Sequence, residues 1–256
     1  MTSSPDLQAH GLTKVYPGST EATGSTALDG VSLAIAPRES VAIMGPSGSG
    51  KTTLLHCLAG ILVPTSGEVR WRGRDLATLT DGARSALRRS DFGFVFQSGQ
   101  LLPELPADEN AALPLMLGGV PRAQATGAAR RWLAYLGLAG MEGRRPGELS
   151  GGQAQRVAIA RALVGSPGVV FADEPTGALD QHTGAEVLAI LARASAATGA
   201  SLVVVTHDPA VARTCERTVH MRDGRIVGEH RRRPGDDPGD DPAGGTIGAR
   251  VEGVTS

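Results

Sequence analysis

Lysine is nearly missing from this chain of 256 residues: Lys14 and Lys51 stand alone among 25 basic side chains, the rest being arginine. With 35 glycines and abundant alanine, that bias fits a GC-rich genome rather than a chemical need. Cysteine is as scarce. Cys57 and Cys215 cannot form a disulfide framework and read as two reduced thiols, Cys57 within an apolar helical pattern. Long apolar runs are absent too. A bilayer span takes about 20 apolar residues, and the stretches at 54–63 and 157–164 are too short or broken by polar residues. The opening MTSSPDLQAH has neither a basic start nor an apolar segment, so no secretory signal is expected and the chain is expected in the cytoplasm. A net charge of −1 and a pI near 6.6 argue against a polyanion partner, and no nucleic acid is expected. What is there is core: 41% of the residues are hydrophobic, ample for one domain or a domain with a subdomain.

The most informative stretch is GPSGSGKTT at 45–53, preceded by the apolar run Val41, Ala42, Ile43 and Met44 and followed by Leu54, Leu55 and Leu58. That places it where a strand meets a helix. Gly45, Gly48 and Gly50 let the backbone fold tightly, so that its N–H groups point at an anion at the helix N-terminus. Pro46, Ser47 and Ser49 complete the loop, Lys51 can reach the β- and γ-phosphates, and the hydroxyl of Thr52, beside Thr53, can ligate Mg²⁺. By itself this pattern says only that a nucleoside triphosphate binds.

Around the loop, strands are expected at 7–16 and 27–35, joined by a mobile Gly/Ser/Thr-rich loop at 17–26. A hairpin is expected at 68–73 and a strand at 92–96. The helix after the phosphate loop should reach about Leu62. From 99 to 164 the pattern is mainly helical, with Pro103, Pro106, Pro114, Pro121 and Pro146 marking breaks. Short β-branched runs at 169–172 and 202–205 flank a helix at 186–197, and alternation of this kind implies a doubly wound sheet. Asp223-Gly224 suits a tight primed turn between two last strands. Past 230 the arginine run and aspartate pairs leave almost nothing to bury, so 231–256 reads as a disordered tail.

About a hundred residues after the phosphate loop comes LSGGQ at 149–153. The two motifs together resemble the ATP-binding cassette (ABC) family over residues 7–230. The resemblance implies an α/β fold: a P-loop NTPase core with an antiparallel β subdomain and a helical signature subdomain at about 99–164, within one ATP-binding domain at 1–230. It also assigns roles. After the apolar run 169–172, Asp173 would hold Mg²⁺ and Glu174 would polarise the attacking water; two acids are needed because one is occupied by metal. Gln97, closing a strand, is similar to the family's Q-loop glutamine, which contacts metal and water. His207 is similar to its switch histidine, and Tyr16 to the aromatic that stacks on adenine. Asp180 matches the D-loop, although Gly177 stands where Ser is usual. Ser150, Gly151, Gly152 and Gln153 open a helix whose dipole favours an anion. In the family that signature covers the γ-phosphate held by a second subunit, so an ATP-dependent homodimer is implied.

Intact Lys51, Thr52, Gln97, Asp173, Glu174 and His207 point to an active ATPase with ATP and Mg²⁺ as cofactors, rather than a non-catalytic regulatory module. A chromosome-maintenance relative would carry a long coiled coil before the signature, and a translation-type relative two cassettes; neither is visible. A transporter's motor subunit remains, attached at the inner face of the cell membrane to a permease on a separate chain. The stretch from Phe96 to Leu105, Asp108-Glu109-Asn110 and Leu113-Pro114-Leu115 resemble the subgroup for lipoprotein release and for macrolide or antimicrobial-peptide export. An importer of a small solute stays open. Residues 98–117, with apolar side chains among prolines, are expected to receive the permease.

Overall fold

The computed structural model describes residues 6–17 and 24–232; most of the expected loop at 17–26 and the expected tail from 233 lie outside them. The chain opens with β1 (Leu7–Tyr16) and β2 (Ser25–Ile35), the second starting two residues earlier than the pattern predicts. β3 (Ser40–Met44) leads through the phosphate loop into α1 (Lys51–Leu58), and β4 (Ser66–Trp71) and β5 (Arg74–Asp75) make the expected hairpin. α1 stops short of Leu62 because Gly60 turns to φ +62°, a left-handed conformation that ends the helical run.

Next come α2 (Asp81–Ser90), β6 (Phe92–Phe96), α3 (Ala107–Leu117), α4 (Arg122–Tyr135) and α5 (Gly151–Leu163). Pro114 does not break its helix. It sits inside α3, forgoing one backbone donor, while its carbonyl still accepts the Gly118 N–H at 3.0 Å in the last turn. β7 (Val169–Asp173), α6 (Gln181–Thr198), β8 (Ser201–Thr206), α7 (Pro209–Ala212), β9 (Arg217–Arg222) and β10 (Arg225–Arg231) finish the fold. Asp223 and Gly224 both take positive φ, 51° and 75°, as the primed turn between β9 and β10 requires.

Two sheets result. β2-β1-β4-β5 is antiparallel; β10-β9-β3-β8-β7-β6 is parallel apart from the β9–β10 hairpin. β3, β7 and β8 are buried on both faces, and their alternate residues feed two different cores. Val41, Ile43, Val169, Phe171, Val203 and Val205 pack with α1 and the antiparallel sheet. Ala42, Val170, Ala172, Leu202 and Val204 pack with the interior of α3 to α6. Buried Glu39 ties the far rim together, its carboxylate pairing with Arg217 at 3.0 Å and Arg231 at 2.9 Å. The parallel arrangement leaves the carboxyl ends of β3, β6, β7 and β8 at one edge, each followed by a loop carrying an expected functional residue.

Candidate nucleotide site

The phosphate loop leaves β3 at Gly45 and enters α1 at Gly50 because nothing larger fits at either end. A Cβ on Gly45 would stand 2.2 Å from the Met221 carbonyl oxygen, and one on Gly50 2.2 Å from that of Ala27. Gly50 also takes φ +96°, and no side chain caps the helix it opens, so α1 presents its first backbone donors to the loop. The Lys51 ammonium donates to the carbonyls of Gly45 and Pro46, both at 2.8 Å. That holds it over the loop with one of its three donors to spare. Ser49 has a buried hydroxyl without a partner among the described residues. Tyr16 lies beside the loop's end, its hydroxyl 3.5 Å from Thr53 Oγ1, with a half-exposed ring and the Lys14 ammonium 5.6 Å from the ring centre.

Across the sheet edge, Thr52 Oγ1 donates to Asp173 Oδ1 at 3.4 Å. Burial pushes the Asp173 carboxyl above its ordinary range, the Thr52 hydroxyl and the charges of His56 and Lys51 pulling the other way. A desolvated carboxyl joined by one long contact to a threonine hydroxyl is an oxygen donor set that suits a hard divalent cation. Glu174 follows at φ +46°, a left-handed value that is costly for a residue with a Cβ. Its N–H is anchored to the Val205 carbonyl at 2.9 Å. The kink sends the side chain toward the end of β8, where His207 Nδ1 meets Glu174 Oε1 at 2.8 Å and Thr206 Oγ1 donates to Oε2 at 3.3 Å. Thr206 in turn accepts the Asp208 N–H at 3.0 Å, which aims its hydroxyl proton at the carboxylate.

Gln97 follows β6, whose last residue pairs with Asp173. Its amide lies against Gly177: a Cβ there would come within 2.9 Å of Gln97 Nε2. A larger residue there would have to push the flexible Gln97 side chain aside. Among the described residues no hydrogen bond joins Gln97 to Thr52, Asp173 or Glu174. Asp180 caps α6 by accepting the Thr183 N–H at 3.0 Å, and that backbone bond holds its carboxyl below the usual range.

The signature residues lie elsewhere. Ser150 and Gln153 form a reciprocal cap on α5, with Gln153 N to Ser150 Oγ at 3.3 Å and Ser150 N to Gln153 Oε1 at 2.9 Å. Gly152 is buried against α6, where a Cβ would stand 2.5 Å from Thr183 Cγ2, while Ser150 and Gly151 are exposed. α5 packs on β6, and β6 is three strand positions from β3, roughly 14 Å at the usual spacing. The structure therefore brings Lys51, Thr52, Asp173, Glu174 and His207 to one edge and keeps the signature apart from them.

Two residues escaped sequence reasoning. Thr206 showed only as a polar strand end. Gln155 is polar but falls on the buried stripe of α5 with Gly152 and Ile159, a spacing that could have flagged it. The apolar side chains at 98–117 also divide: Leu101 packs against the core, whereas Leu102 and Leu117 are exposed.

Comparison with known proteins bears on the family and the fold. The family model for ABC transporters matches residues 28–177. The lipoprotein-releasing system ATP-binding protein LolD of Geobacter metallireducens is 48% identical over 223 residues, covering 87% of this chain and 98% of that protein. The macrolide export ATP-binding/permease protein MacB of Chromobacterium violaceum is 47% identical over 221 residues, and the chain spans only 34% of its length. A bacterial ABC transporter cassette solved as a dimer superposes with a TM-score of 0.81 at 40% identity, covering 89% of this chain and 99% of that one. The same cassette, in a post-hydrolysis dimer bound to ADP and Pi, gives a TM-score of 0.79.

Proposed function

The chain belongs to the ABC transporter family, and from that premise we propose that it hydrolyses Mg-ATP between two copies of itself to drive a membrane permease carried on a separate chain. The observation that carries the reading is Glu174, held through both carboxylate oxygens by His207 and Thr206 beside Asp173 and Thr52. These two bonds orient the carboxylate to polarise a water for attack on the γ-phosphate. Lys51 and the open N-terminus of α1 bind the phosphates, and Tyr16 offers its ring to the base. Thr52 and Asp173 would hold Mg²⁺, with Gln97 swinging in from Gly177 to join them. The ion, when bound, neutralises charge on the phosphates.

A second copy supplies what one chain lacks. The exposed Ser150 and Gly151 at the capped start of α5 suit a phosphate oxygen held by another subunit, and the dimeric solved cassettes support the pairing. We take 1–230 as the ATP-binding domain, with 99–164 its helical subdomain. Among the described residues no helix is long and apolar enough to cross a membrane, so a permease would hold the chain at the inner face of the cell membrane. Its seat is a cavity of about 270 Å³ between α2, β6, α3 and α5, lined by Phe94, Phe96, Leu113 and exposed Leu117 together with Arg88 and Arg161. The names of the relatives favour release of a lipoprotein or export of a drug or peptide as the work done. Mg²⁺-dependent phosphate release by the purified chain, lost in Glu174→Gln with ATP binding retained, tests the reading; full activity in that variant would refute it.

A further inference from the structure

Gln155 sits two residues beyond the signature, only 2% exposed, with a side chain that serves neither its own helix nor the nucleotide. Its Nε2 donates twice: to the Phe96 carbonyl at 2.8 Å and to the Pro175 carbonyl at 2.8 Å. Those carbonyls belong to the residue just before Gln97 and the residue just after Glu174. The β6–β7 ladder ends with the pair Phe96 and Asp173, and beyond it Pro175 has no N–H with which to continue. Gln155 therefore bridges the two strand ends where the sheet's own bonds run out. Its carbonyl oxygen lies toward Gly99, where a Cβ would approach to 3.2 Å, and Gly99 itself donates to Phe96 O at 3.0 Å. One buried amide thus joins the first turns of the signature helix to both backbone segments that carry Gln97 and Glu174.

We propose that Gln155 is a positioning residue for hydrolysis: through its two donated bonds, the placement of the signature helix sets the placement of Glu174 and Gln97. Engagement of Ser150 by a second copy's nucleotide is then felt at this chain's own Glu174 through the Gln155 side chain and its hydrogen bond to Pro175, the residue after Glu174. Buried amide donors of this kind are costly to leave unmatched, so the three segments move together or break the bridge. The inference rests on the reading that Glu174 polarises the attacking water.

The test compares Gln155→Met, which keeps the volume and removes both donors, with Gln155→Asn, which keeps the amide but is too short for both carbonyls. Nucleotide affinity of the single chain, measured by ATP titration, should be unchanged, while kcat falls about 10–100-fold for Met and less for Asn. In the Glu174→Gln background both variants should still dimerise with ATP by light scattering. Wild-type kcat in a folded Gln155→Met chain overturns the proposal. So does loss of ATP affinity and melting temperature in step with kcat, which would mark the amide as merely structural. Should the methionine variant not fold, the asparagine variant decides by the same split. Glu174→Gln assayed alongside separates the two readings: if it turns over normally the Glu174 role fails, and if it is inactive while Gln155→Met is normal only the bridge fails.

Discussion

At the carboxyl ends of β3, β7 and β8, functional side chains find partners within their own chain: Lys51 on two loop carbonyls, Thr52 on Asp173, and Glu174 on Thr206 and His207. At the start of α5 the Ser150 and Gln153 side chains bond, among the described residues, to each other's backbone N–H in a reciprocal cap, and Ser150 and Gly151 face outward. The first region is closed on itself by contacts within the chain, and the second is left open to a partner. The contrast has a thermodynamic meaning. On the proposed reading, the phosphate loop binds ATP alone, whereas the signature would gain its anion only when a nucleotide-loaded copy arrives, which links dimerisation to nucleotide.

The contrast is open to attack, beginning where the effect should be greatest. Glu174→Gln should lower turnover about 10²–10⁴-fold while ATP binding and ATP-dependent dimerisation persist; steady-state phosphate release with light scattering checks both. Lys51→Ala removes the one cation of the loop and should weaken ATP binding by the single chain on the order of 10–100-fold by titration, which a signature change should not do. Leu101→Asp puts a charge against the core and should cost about 1–3 kcal/mol in thermal or urea unfolding. Ser150→Ala loses its cap on α5, about 1 kcal/mol of stability. It should leave ATP affinity of the monomer untouched and weaken the trapped Glu174→Gln dimer. An equal loss of monomer affinity would mean that the two regions are not separate. Leu117→Asp should change stability by no more than about 0.5 kcal/mol, since that side chain is 68% exposed, yet from its place on the proposed permease seat it should abolish stimulation by the permease.

Much of the molecule could be read before folding was considered. The strands at 7–16 and 92–96 fall where hydrophobic pattern and turn residues put them, and the Asp223-Gly224 hairpin forms as its backbone preference demands. Pro114 misled, because a helix can forgo a single donor when its neighbours still bond and its flank is packed; the rule against internal proline is a cost, not a prohibition. Leu101 misled in another way, packing on the core while its neighbour Leu102 stays exposed. Adjacent apolar residues in a loop carry no periodicity, so nothing local says which of them turns inward.

The amino-acid sequence by itself determined the phosphate loop, the acidic strand end and the capped signature, because each is written in contiguous residues whose backbone demands are local. Gly50 must adopt its left-handed turn, and Ser150 can reach only the N–H three residues on. Tertiary structure alone decided that Thr206 shares Glu174 with His207, that Gln97 rests in the space left by Gly177, and that Gln155 joins two strand ends. These partners lie about 20 to 80 residues apart, and their contacts depend on strand order and on the kink at Glu174. A side chain's reach is a few ångströms, so such a contact exists only once the parallel sheet has set its strand ends side by side.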